Sequence, residues 1–301
     1  MCFAGDSDFE SSGYARGAAE YLKLPRHAQS AALSGAVVAM QEEMAGFQYN
    51  PAILDVVGSK NGYPVIGSYS FMNLDRKHIA VDATSAIGSY FAAGISLTNY
   101  SIGNIEGRDD YGNLTNDFDY RELAMALSIA GRLQFPVSWG VTIRYLSEQL
   151  EFESANGFGF DVGATWRPMQ QLCVGVSGQN ISSYLWWTTK HRDIVLPVAR
   201  VGVAGMFIDT TLTVELDVSK TLEQPIDLAL GIQYKLFDIL YVRGGLASSI
   251  DIENKDYRDF DFSLGIGMRY SMVGFDYAVP ITSSRLGVTH KISAVIKFPS
   301  L

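Results

Sequence analysis

The sequence has almost no cysteine. Of 301 residues only Cys2 and Cys173 carry thiols, too few for a disulfide framework and without the spacing of a metal site. Cys173 falls in an alternating stretch and reads as a small apolar filler. Long apolar runs are missing as well. The longest, Ala31 to Met40, is interrupted by Ser34 and Gly35 and falls well short of the ~20 residues of a membrane helix. Charge is sparse, at 18% of residues against roughly 25% in a soluble domain. Positive charge is the minority, with 23 Lys and Arg against 32 Asp and Glu. A net charge of −9 cannot neutralise phosphates, which excludes nucleic acid as a partner. Chemistry-bearing residues are dispersed: His27, His78, His191 and His290 stand far apart. No Ser/His/Asp grouping, paired-carboxylate site or metal cluster can be assembled from sequence. Glycine pairs such as Gly265 and Gly267 lie in alternating stretches, where small residues relieve crowding. No enzyme, cofactor or metal is expected.

What remains is apolar content without apolar runs. Hydrophobic residues make up 48%, with 16 Tyr, 16 Phe and 29 Gly, and mean hydropathy is +0.09. Alternating strands produce this combination. The last stretch, Val288 to Phe298, is the clearest: Ile292, Ala294, Ile296 and Phe298 share one face, and Lys291, Ser293, Val295 and Lys297 the other. Alone, it suits an outer-membrane barrel's closing strand, with Phe298 as the assembly signal, or the edge of a soluble sandwich. From Tyr63 onward similar runs recur. Val137, Trp139, Val141, Ile143 and Tyr145 oppose Ser138, Gly140, Thr142 and Arg144. Leu212, Val214, Leu216 and Val218 oppose Thr213, Glu215 and Asp217. One face is bulky; the other holds Gly, Ala, Ser and scattered charges. The runs span roughly nine to thirteen residues, longer than sandwich strands of about five or six and enough to cross a tilted bilayer. Tyr63, Tyr145, Trp166, Tyr234, Tyr270 and Phe298 stand at run ends, where an interfacial girdle belongs.

The connections separate the two architectures. About fourteen strands are expected, starting near residues 63, 78, 90, 119, 137, 157, 171, 197, 211, 226, 239, 259, 272 and 287. Even-numbered gaps are mostly tight, such as Gly88-Ser89, Phe237-Asp238 and Ser271. Odd-numbered gaps are mostly longer, such as Ile102 to Phe118, Glu148 to Asn156 and Ser182 to Leu196; the first, at Asp75-Arg76, is a short exception. A membrane barrel with two unlike rims sorts its loops this way. The expectation is an all-β transmembrane antiparallel barrel over residues 56–301, in a bacterial outer membrane, in contact with its lipids and lipopolysaccharide.

The first residues do not alternate. Met1-Cys2-Phe3-Ala4 before Gly5-Asp6 reads as a signal-peptide remnant (residues 1–4) with upstream sequence trimmed; a lipidated Cys2 is the weaker alternative. Residues 5–55 form the expected plug, or hatch. Arg26 to Met44 is rich in Ala, Ser and Gly, suited to confinement in a bore that ring wall side chains alone do not fill. Pro51 keeps Asn50 out of the helical region, so Asn50-Pro51-Ala52 is read as a turn at the hatch–barrel junction.

Ala18-Ala19-Glu20-Tyr21-Leu22-Lys23-Leu24, the run Ala31 to Ala39 and Asn50-Pro51-Ala52 together resemble the start of PorV/PorQ-type outer-membrane proteins, within the wider class of FadL long-chain fatty-acid transporters. Gln179-Asn180-Ile181, Leu196-Pro197 with Arg200 to Ala204, and the closing Leu286 to Lys291 with Phe298 extend the resemblance along the chain. Arg26-His27-Ala28-Gln29 and Ile53 depart from the pattern. The resemblance implies a fourteen-stranded barrel with an N-terminal hatch. It also implies either of two roles. One is an accessory of type IX secretion, docking a large translocon barrel and exported proteins; this is taken as the leading function. The other is a channel for a hydrophobic ligand. A purely structural surface protein is the third option.

Ser182 to Leu196 is the most informative connection. Tyr184, Leu185, Trp186 and Trp187 there are candidates for contacting a partner or apolar ligand, or for resting on the rim at the lipid interface. Asp109, Asp110, Asp251, Glu253 and Asp256 form acidic loops that are read as solvated, with divalent-ion binding as the alternative.

Overall fold

The computed structural model describes residues 17–40, 44–54, 62–109, 111–134, 136–250, 258–281 and 288–299. The signal-peptide remnant, Cys2, Asp110 and the acidic residues Asp251, Glu253 and Asp256 lie outside the described residues. The strands are β1 (Tyr63–Phe71), β2 (Arg76–Ile87), β3 (Phe91–Ile105), β4 (Phe118–Gln134), β5 (Val137–Leu150), β6 (Glu153–Met169), β7 (Leu172–Trp187), β8 (Arg192–Ile194), β9 (Val198–Phe207), β10 (Leu212–Thr221), β11 (Ile226–Leu236), β12 (Leu240–Ile250), β13 (Arg258–Tyr270), β14 (Val273–Ile281) and β15 (His290–Phe298). Fourteen of them close a ring of antiparallel neighbours. The last strand seals against the first, from Tyr63↔Phe298 to Phe71↔His290. The short β8 pairs only with the upper end of β7 and continues downward, through residues 195–197, into β9.

The barrel is apolar outside and polar inside. Ile95, Leu127, Ile143, Phe160, Leu216, Leu264 and Ile292 are exposed, whereas Asp82, Thr98, Thr142, Asp161, Gln233 and Arg243 are buried. Side chains alternate with period two, so each strand turns its bulky residues outward and its small or charged ones to the bore. An exposed band of this extent is stable only against hydrocarbon. Phe91, Trp166, Phe207, Tyr270 and Phe298 lie at one rim, all exposed, forming an aromatic girdle. The rim with Tyr63 and Phe298 has only short connections, such as residues 170–171 and 271–272.

The opposite rim differs from expectation. Glu148 to Asn156 is not a long loop: β5 runs to Leu150 and β6 starts at Glu153, paired throughout from Val137↔Trp166 to Leu150↔Glu153. Ser182 to Leu196 is likewise a hairpin, with residues 188–191 at its tip. Strands β3 to β7 therefore stand above the rest, at 14 to 17 residues. Beyond the bilayer the apolar contrast between faces fades while backbone pairing continues, so strands masquerade as loops in sequence. The connection at 106–117 remains long.

The N-terminal segment runs inside the ring. Its start pairs with the tall rim, Ala18 N–H donating to the Ile194 carbonyl at 3.0 Å. A short helix α1 (Ala28–Ala32) packs on β12 to β15, and the 3-10 turn Pro51–Ile53 packs on β4 to β6. It thus touches opposite walls as it descends.

Candidate functional site

The segment carries little regular structure, so its backbone N–H groups need partners from the wall. Inward-facing acids supply them. Asp217 accepts from the amides of Val37 and Val38 at 2.8 and 3.0 Å, and Glu215 from that of Ala39 at 2.5 Å. Asp276 accepts from the Gln29 side chain at 3.0 Å and pairs with Arg243 at 2.8 Å. Asp82 accepts from His27 and lies 3.4 Å from Arg26. Lys291 donates to the Pro25 and Arg26 carbonyls. These wall acids and Arg26-His27 seat the segment, a role that sequence reading did not assign to them. The signal was there: single carboxylates on the small face of otherwise apolar strands.

Ser68, His27 and Asp82 stand in hydrogen-bond order, Ser68 Oγ being 2.5 Å from His27 Nδ1, a grouping invisible in sequence. Ser68 is buried and also bonds Ser293 Oγ at 2.7 Å, which in turn accepts from the Ala28 amide at 2.8 Å. The array braces the segment against β1, β2 and β15 and does not line the cavity described below.

Asn50, Pro51 and Ala52 lie buried inside the bore. Asn50 is extended at φ −144°, as a residue before proline should be. Its Nδ2 donates to the carbonyls of Val38 (3.0 Å) and Ala164 (3.2 Å), and its Oδ1 accepts from the Ala52 amide at 3.1 Å. The turn fits because Gly140 and Gly163 leave room: a Cβ on Gly140 would strike Pro51, and one on Gly163 the Asn50 side chain.

The four aromatic-hairpin residues separate. Leu185 is buried and packs with Ala19, Tyr21, Leu146 and Val195, so it is not exposed to a partner. Trp187 packs on the same cluster, its Nε1 donating to Asp193 at 2.6 Å. Trp186 is exposed, beside the half-buried Tyr184 with ring centroids 6.0 Å apart; Arg192 lies over the Tyr184 ring at 4.6 Å. Phe298 ends β15, exposed at the short-turn rim. Asp109 sits in the 106–117 connection, where the Asn113 side chain and amide hold its carboxyl below the usual range.

Between the segment and the wall lies a cavity of about 340 Å³. Leu24, Pro25 and Ala31 line it from the segment, and Ala229, Ala247 and Pro280 from the wall. Ser70 Oγ and His78 Nε2, both buried, face the same cavity residues and lack hydrogen-bond partners. Lys291 Nζ donates to His78 Nδ1 at 3.2 Å. Nδ1 is then the acceptor, which leaves the proton on Nε2.

No protein-family model matches the sequence, and no curated protein matches it. Solved structures do. The CymD monoaromatic hydrocarbon channel superposes with a TM-score of 0.67 at 13% identity, covering 92% of this chain and 99% of its own. The Pseudomonas putida toluene transporter TodX gives 0.63 at 12%, covering 91% and 98%. A Pseudomonas aeruginosa FadL homologue gives 0.62 at 14%, covering 91% and 98%. These support the FadL side of the expected resemblance; nothing found supports the PorV/PorQ side. The chain is a closed fourteen-stranded antiparallel β-barrel of outer-membrane type, with the fold of FadL-like channels.

Proposed function

We propose that the protein is an outer-membrane channel for small hydrophobic molecules, with residues 17–54 as its hatch. The observation that carries this is the cavity of about 340 Å³ between hatch and wall, where Leu24, Pro25, Ala31, Ala229, Ala247 and Pro280 supply apolar surface among hydroxyl and charged side chains that include Lys23, Arg200, Asp227 and Asp261. It lies in the size range of small-molecule sites, which are mostly apolar with a few placed polar groups. Ser70 and His78 are such groups. The named substrates of the structural neighbours, monoaromatic hydrocarbons and toluene, agree with this chemistry.

The test is uptake of toluene and of a polar control sugar into liposomes carrying the purified chain. Toluene should enter faster than through protein-free liposomes, and Ala247→Trp, which fills the cavity, should remove at least most of the difference. Sugar uptake exceeding that of toluene would reject the reading. Docking of a translocon barrel or exported protein is favoured only by the exposed Trp186 beside Tyr184. Recovery of a large barrel on affinity purification from native membranes would move the assignment there.

A further inference from the structure

A second cavity, of about 680 Å³, opens at the tall rim and borders the first at Leu24 and Met72. Glu122 and Glu148 face into it from directly opposed positions on β4 and β5. They are 4% and 9% exposed. Like charges placed opposite each other across a strand pair repel, and a buried carboxylate without a counter-charge is costly. Among the described residues no basic side chain pairs with either. Tyr120 Oη donates its one proton to Glu148 at 2.7 Å.

Three tyrosines complete the walls: Tyr120, Tyr100 and Tyr21. Tyr21 and Tyr100 stack with centroids 6.2 Å apart. Tyr21 is 5% exposed, and its hydroxyl has no hydrogen-bond partner. The other charges nearby are engaged elsewhere. Arg76 and Arg192 also line the cavity: Arg76 donates to the Asn73 carbonyl at 2.9 Å and hydrogen-bonds the Tyr100 side chain, and Arg192 covers Tyr184. Glu20 pairs with Lys23 at 2.7 Å, and Asp193 holds Trp187 and His191. Deeper in the bore Arg144 is held by Asp161, and Arg26 by Asp82.

Two facing acids that burial makes readier to hold a proton, an unpartnered phenol oxygen and stacked aromatic faces share one complement that can replace that proton: a cation with N–H donors and an apolar tail. We propose that the mouth cavity binds a primary organic ammonium ion, its N–H groups donating to Glu122, Glu148 and Tyr21 and its carbon chain resting on Tyr100 and Tyr120. Ammonium recognition by aromatic faces is established chemistry, and the hydrogen bonds distinguish a primary amine from an inorganic ion.

The test uses the full chain in detergent, titrated with n-butylammonium chloride by calorimetry. Saturable binding of one ion per chain is expected, with 1-butanol unable to compete and Mg2+ unable to displace it at equal charge. The double variant Glu122→Gln/Glu148→Gln should bind at least tenfold more weakly. Tyr100→Leu, which keeps both charges, should bind several-fold more weakly, and guards against a fold defect in the double variant. Absence of binding to the native chain, displacement by Mg2+, or undiminished binding to the double variant with Tyr100→Leu also unaffected would each overturn the proposal.

Discussion

Asn180 sits in β7 with φ 55°, followed by Ser182 at φ 51°, where the β6–β7 register shifts around Phe160. Asparagine tolerates the left-handed region better than other side chains with a Cβ, and here its surroundings fix it. Its amide donates to Asp161 at 2.9 Å, its Oδ1 accepts from Arg144 at 2.8 Å and its Nδ2 donates to the Leu196 carbonyl at 3.2 Å. Asn180→Val forces a β-branched residue into that region and removes one of the two partners of Arg144, which should cost about 1–3 kcal/mol. The midpoint of heat unfolding of the detergent-solubilised barrel, read by gel mobility, should fall; an unchanged midpoint would mean that the bulge can re-register freely. Asp217→Ala strips the partner from two buried amides, at about 1–3 kcal/mol each. Protease should then reach residues 17–40 faster than in the native chain while the barrel resists. The sequence marked Asn180 only as part of a family-like triplet and Asp217 only as a charge on a small face. Neither reading reveals what the residue holds, because its partners lie 16 or more positions away.

At the scale of elements most of the barrel was legible. Strand positions followed from alternation because hydrocarbon outside and a polar bore inside impose opposite demands on successive residues. Expected and observed starts coincide for β1, β5 and β11, while β15 starts three residues later than expected. The failures cluster at the tall rim, where Ser154, Ala155 and Asn156 still pair with β5 without any bilayer to sort them. The hairpin of β7 and β8 was read as a loop for the same reason. If the exposed Trp186 rests at the lipid interface, a variant keeping Trp186 as its only tryptophan should be quenched by brominated lipid as strongly as one keeping only the exposed Trp166 at the other rim. Quenching by aqueous iodide instead would place the hairpin clear of the membrane and open to a partner.

For the molecule as a whole, the sequence carried the class of fold, and its small-residue run suggested a hatch. What it withheld is the fit between the N-terminal segment and the wall. Gly140 and Gly163 were visible as small inward residues, yet nothing periodic says that Asn50 and Pro51 meet them. Removing residues 5–50 should raise single-channel conductance in planar bilayers severalfold, since the wall alone leaves a wide bore; an unchanged current would reject the hatch.

The same long-range seating governs how the protein can be built. The Ala28 amide is bonded by Ser293, 265 positions later, and Gln29 by Asp276. The N-terminal segment therefore gains part of its seating only when strands much later in the chain arrive. Sealing the seam between β1 and β15 and lodging the N-terminal segment must happen together, as one late event with a large loop to close. A folding intermediate short of β15 would have an open edge and a loose, apolar leading end, and both invite aggregation until the final strand is delivered.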